Sequence, residues 1–140
     1  MNKMLLILPL VAAFFSCTEY RVYTDYGVNL DGVLIWQDEA EIEIVTSKER
    51  ANVWVDVVNS EYNDPWNILN STTNGLCVHT AFPIDPTKIF VLEKFIESAA
   101  LVAHEMGHCI GHRHNDDPTS IMYGGGIPKD KPLSWFKEFQ

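Results

Sequence analysis

The sequence predicts an α+β fold, a mixed α/β sandwich in which helices back one sheet. Three observations predict it. Short runs with β patterning fill the chain up to about residue 93, one long Ala-rich helical stretch follows them, and 140 residues suit a single domain. At 46% hydrophobic and 21% charged residues, the composition is that of a globular chain and not a disordered one. No repeat or low-complexity tract is visible, which excludes solenoids. A net charge of -9 argues against nucleic acid as a partner, because phosphate binding needs a basic surface.

Residues 1–16 read as a signal peptide. Lys3 supplies the positive end, and Met4 to Phe15 is apolar and uncharged. That run is well short of the roughly 20 residues a membrane span needs, and it fits a secretory h-region. Ser16-Cys17 resembles the lipobox of bacterial lipoproteins, in which the chain is cut before a Cys that then carries lipid. The usual Leu and small residue upstream are replaced here by Phe14 and Phe15. The expectation is an exported domain, residues 17–140, anchored to the membrane through lipidated Cys17. Simple secretion is the second choice and an uncleaved anchor the third.

Along the exported part, Tyr20 to Asp25 alternates apolar and polar residues, a weak strand pattern. Val28 to Gln37 suits a short helix, weakened by Gly32. Glu41 to Thr46 has the period-2 pattern of a half-buried strand, and the Val-rich Asn52 to Val58 suits a more central one. Glu61 to Asn74 carries turn chemistry, and Leu76 to Phe82 is a further strand closed by Pro83. Lys88 to Glu93 is open to two readings: Asp85-Pro86 could start a helix, whereas Ile89-Phe90-Val91 favours a strand, the reading adopted. Phe95 to Ile110 is helical and stopped by Gly111. Asp116 to Gly126 is loop, and Ser134 to Phe139 suits a short terminal helix carrying Trp135, Phe136 and Phe139.

Four of the five histidines fall between residues 104 and 114. His104-Glu105-Met106-Gly107-His108 is an HExxH motif inside the predicted helix. Residues four apart share one helix face, so His104 and His108 can bind one ion together. Glu105, rotated about 100° from His104, does not ligate; it can take a proton from water held at the metal. Gly111 and His114 complete HExxHxxGxxH. A third ligand beyond the helix reaches the metal only if the chain bends back, and a Gly past the last turn permits this. Three His ligands on tetrahedral Zn2+ leave a position open to water, the mark of a catalytic site.

With Ser120-Ile121-Met122-Tyr123 downstream, the chain resembles the metzincin zinc endopeptidases, most closely the matrixin-like branch, where Met is followed directly by Tyr. The resemblance implies a zincin fold with a twisted mixed sheet. It implies His104, His108 and His114 as zinc ligands, Glu105 as general base and acid, Gly111 as the turn and Met122 as the floor beneath one catalytic Zn2+. Gly75 to Pro83 looks like the branch's substrate-lining edge strand, and Ala51 to Asp56 like an internal strand. A structural zinc or calcium is not supported, since His79 has no upstream His to join it. Gly124 stands where an astacin-like Tyr ligand would be, so Tyr123 does not inherit that role. Within this length no pro-domain is expected.

The expected function is therefore zinc-dependent peptide-bond hydrolysis by a monomer acting on extended protein or peptide substrates. The rival is a lipoprotein that binds zinc and captures a partner without cutting it, against which the intact Glu105 argues. Ile127 and Pro128 are expected to shape the pocket beyond Met122. Met122 itself is expected to pack, as a buried loop Met usually does. His112, like the acidic cluster Asp38, Glu39, Glu41 and Glu43, is expected to be solvated; the cluster hints weakly at basic substrates. For Cys77 and Cys109 a disulfide is permitted by export, but packed free thiols are the favoured expectation.

Overall fold

The computed structural model describes residues 19–59, 63–70, 73–79 and 86–140. The expected signal peptide, Cys17 and the far end of the expected edge strand (80–83) lie outside these residues.

The described chain is α+β, as its patterning implies. Five strands, β1 (Glu19–Thr24), β2 (Glu41–Ile44), β3 (Val53–Val58), β4 (Gly75–Val78) and β5 (Thr87–Leu92), precede one α-helix, α1 (Ala99–Cys109). They form one sheet in the order β2-β1-β3-β5-β4. The first three junctions are parallel and the last, β4 on β5, is antiparallel. β3 is central, as its Val content suggests: Val53, Val55 and Val57 are buried, while Trp54 and Asp56 point to the other face and are half-buried. Among the described residues β4 is an edge strand, with one row of its backbone groups lacking a strand partner. Lys88 to Glu93 is a strand, β5, paired along its whole length with β3.

Three expected helices are shorter or tighter than their sequence patterns. Val28 to Gln37 becomes a 3-10 helix over Asp31–Asp38. Packing on α1 decides this segment, not helix propensity. A Cβ on Gly32 would lie 2.8 Å from the Ala99 carbonyl carbon, and the Trp36 indole N–H donates to the Ala103 carbonyl at 2.9 Å. The main helix starts at Ala99, not Phe95, because the Ser98 hydroxyl accepts from the Leu101 N–H at 3.2 Å and caps it there. Glu93–Phe95 is a separate 3-10 turn. The terminal helix is two 3-10 turns, Leu133–Trp135 and Lys137–Phe139, with fully buried Phe136 between them.

Core side chains from the sheet (Val22, Val53, Val55, Ile89, Val91) meet Leu101, Val102 and Met106 of α1. The helix is buried along nearly its whole length, which presents its histidine-bearing end at the open edge of the sheet.

Candidate active site and metal centre

α1 ends in a manner that bends the chain back on itself. The His112 N–H donates to the Gly107 carbonyl at 2.9 Å and the Gly111 N–H to the His108 carbonyl at 3.1 Å. This is the Schellman pairing, and it requires a left-handed residue. Gly111 supplies it with φ 106°. The returning chain is then held in place. The Asn115 N–H donates to the Met122 carbonyl at 2.9 Å and the Gly124 N–H to the Asn115 carbonyl at 3.0 Å.

The result gathers three imidazoles. The Nε2 atoms of His104, His108 and His114 lie 3.2, 3.2 and 3.1 Å apart. Their other nitrogens decide what those atoms can do. His104 Nδ1 lies 2.7 Å from the Ile121 carbonyl and His108 Nδ1 lies 2.9 Å from the His112 carbonyl. A carbonyl only accepts, so both Nδ1 atoms carry the proton and both Nε2 atoms present bare lone pairs. Converging lone pairs repel unless a cation lies between them. Metal–nitrogen bonds of about 2.0–2.1 Å in a tetrahedron put the nitrogens about 3.3 Å apart, close to the spacing here. The donor set therefore fits a zinc-type ion, and the carbonyl-bound Nδ1 atoms are the usual outer partners of metal-binding histidines. Among the described residues these three form the group able to hold a metal. His79 is exposed and stands apart from it.

Burial tunes the groups. His104 is 6% exposed, and burial, reinforced by the neighbouring histidines, lowers its pKa to about 4, so the ring is neutral and ready to ligate at neutral pH. Glu105 is 4% exposed. Burial raises its carboxyl to about 8, opposed by a hydrogen bond from the Cys77 backbone N–H. Met122 is buried against the helix underside: a Cβ on Gly107 would lie 2.5 Å from its sulfur, so Gly107 is the residue that lets Met122 approach.

A cavity of about 350 Å³ opens over the site, lined by Gly75 and Leu76 of β4, by Leu101, and by Ile127 beyond Met122. A larger one, about 650 Å³, lies among Trp54, Trp66 and Phe90 and shares no residue with the histidines.

Two expectations are overturned. Cys77 and Cys109 are not free thiols: they form a disulfide joining β4 to α1. Sequence gives no separation between them, whereas the fold lays the edge strand beside the helix and brings their Cα atoms to 5.7 Å. His112 is not simply solvated. Its ring stacks on Trp36 at 4.5 Å and its Nε2 meets Glu39 Oε2 at 2.5 Å, while its carbonyl orients His108. The acidic cluster Asp38, Glu39, Glu41 and Glu43 is exposed throughout, as expected.

Sequence reasoning missed Glu138. Its carboxylate accepts from the Ser120 hydroxyl and, at 2.9 Å, from the Ile121 N–H. It thereby braces the residue whose carbonyl orients His104. No local motif marks a carboxylate 17 positions away from its partner.

No protein-family model matches the chain. A curated protein, matrix metalloproteinase-A of Caenorhabditis elegans, is 27% identical over 106 residues. The match covers 67% of this chain and 20% of that protein, so the chain spans about a fifth of the length of its relative. The chain is distantly metalloprotease-like. With the three-histidine group, this similarity points to a metal-dependent hydrolase.

Metal binding to the folded state alone must stabilise it. Zinc added to chelator-stripped protein is expected to raise the melting temperature by several degrees, since about 2.7 kcal/mol is gained at a hundred times the Kd. Calorimetry or fluorescence melting reads this. His104→Ala is expected to lose most of the rise; an equal rise in that variant would show that zinc binds elsewhere.

Proposed function

We propose that this chain is a metzincin-type, matrixin-like zinc endopeptidase. The observation that carries the proposal is the convergence of three imidazole nitrogens, two of them bare, beside a buried glutamate at an open sheet edge. The Nε2 atoms of His104, His108 and His114 would hold Zn2+. When bound, the ion supplies Lewis acidity, bringing the pKa of water toward about 7 and polarising a carbonyl.

The chain's own groups supply the rest. Glu105 directly follows a ligand and stands in the cavity wall. Its carboxylate accepts the proton of the attacking water and delivers it to the leaving amine. A carboxyl whose proton affinity is raised by burial suits both duties, because the best acid–base pKa lies near the working pH. β4 offers its open edge to an extended peptide, which would add as a further strand. Ile127 bounds the space for a side chain beyond the scissile bond. His104 and His108 stay neutral and aimed through the Ile121 and His112 carbonyls. A partner-capturing protein that does not cut would have no use for a buried glutamate at this place.

The Cys77–Cys109 bond supports export, since disulfides persist in oxidising compartments. The reading thus includes an exported monomer held at the membrane through lipidated Cys17, with residues 1–16 as the removed signal. Radiolabelled fatty acid is expected in the wild-type chain and absent from Cys17→Ser; label retained in the variant would refute the anchor.

Glu105→Ala is expected to keep one zinc per chain and to lose at least about 10²-fold in kcat on casein or a peptide library, the scale of general acid–base catalysis. Hydroxamates are expected to inhibit the wild type. A Glu105→Ala protein cutting at the wild-type rate would sink the mechanism.

A further inference from the structure

We propose that the Cys77–Cys109 disulfide is a positioning clamp for Glu105, holding β4 against α1 so that the strand's own backbone aims the carboxylate. The inference rests on the peptidase reading and concerns what keeps its base in place.

Helix periodicity sets the frame. His104 and His108 are four apart and form one row of α1; Glu105 and Cys109 are also four apart and form the adjacent row. The first row faces the metal position. The second faces β4, because Cys109 is bonded to Cys77 of that strand. The face that carries the base is therefore the face that is tied to the sheet edge.

The strand register completes the contact. Leu92 N–H donates to the Asn74 carbonyl at 3.1 Å, and β4 continues antiparallel with Leu76 opposite Phe90 and Cys77 opposite Ile89. In such a ladder alternate residues turn their polar groups toward the partner strand. Asn74, Leu76 and Val78 turn theirs toward β5, which leaves the N–H groups of Gly75 and Cys77 pointing out over the open edge. The Cys77 N–H donates to the Glu105 carboxylate. Gly75 makes room for it: a Cβ there would lie 2.8 Å from both Cγ and Oε1 of Glu105. The carboxylate thus rests on bare backbone between residues 75 and 77, within two residues of the cross-link.

β4 has four residues and, among the described residues, is held by a neighbouring strand on one side only. On its other side the disulfide fixes its distance from α1. Cutting that bond frees the strand to move from the helix, and Glu105 then loses both its donor and the wall that limits its rotamers. The cost falls on the proton-transfer step, which is sensitive to small misplacements. It falls also on the edge that receives substrate.

The test uses the full chain loaded with zinc and a quenched fluorescent peptide, with kcat, KM, zinc content and melting temperature measured together. Three forms are compared with oxidised wild type. One is wild type reduced by a phosphine, which takes up the oxygen of one water and leaves two thiols and a phosphine oxide. The others are Cys77→Ala/Cys109→Ala, and Gly75→Ala with the disulfide intact. The expected result is one zinc per chain throughout and kcat reduced at least tenfold in all three, well below their melting temperatures. KM is expected to rise only where the disulfide is broken.

A bond that merely stabilises the fold would lower the melting temperature and leave kcat unchanged in the cold, which would overturn the proposal. Zinc lost on reduction would overturn it too, since the bond would then hold the metal site and not the base. If the double variant fails to fold, reduced wild type and Gly75→Ala decide; wild-type kcat in either rejects the clamp. Glu105→Gln separates the two levels. Full activity in that variant removes the peptidase reading itself, whereas an inactive variant with unimpaired reduced wild type removes only the clamp.

Discussion

Three imidazole nitrogens forced to within 3.2 Å of one another are the constraint on which the rest of this structure turns. Two of them are bare because their ring partners donate to carbonyls, and bare lone pairs do not choose to converge. Something must hold them, and the local architecture does so piece by piece. The helix supplies two at one-turn spacing, the Schellman end at Gly111 returns the chain, and the Asn115–Met122 pairing fixes the third. Glu138 braces the turn from the C-terminal end through Ser120 and Ile121. Such an arrangement costs free energy that a bound cation would return, which would couple metal binding to folding.

The same helix presents a second row of side chains to the sheet edge. Glu105 and Cys109 meet β4, one through a hydrogen bond and the other through a covalent bond. In the proposed peptidase, metal ligation and acid–base chemistry would draw on adjacent stripes of one buried helix, with the short edge strand as a wall of the cavity. Gly75 and Gly107 serve opposite sides of this helix: the first admits the Glu105 carboxylate, the second admits Met122.

Much of this was legible in sequence because it is encoded locally. The spacing of His104, Glu105, His108, Gly111 and His114 carries helix geometry, helix termination and ligand chemistry within one short window. The period-2 pattern of Asn52 to Val58 marked a central strand correctly, and the β-branched run around Ile89 outweighed the Pro86 start signal because its side chains are needed in the core between β3 and α1. What sequence did not carry depends on tertiary distance. The Cys77–Cys109 bond joins elements 32 residues apart. The Trp36–His112 stack and the Glu138 brace likewise join positions that share no periodicity. The segment from Val28, expected as a short helix, folds as 3-10 because Gly32 must lie against α1, a demand visible only once the partner is in place.

The central claim is that the three histidines form a zinc site with chemistry left open to substrate. X-ray absorption at the zinc edge of the purified full chain tests it most directly. The account predicts three imidazole nitrogens at about 2.0–2.1 Å with a fourth light-atom ligand and no sulfur. Sulfur scattering at about 2.3 Å, or a zinc shell with fewer than three imidazoles, would contradict it.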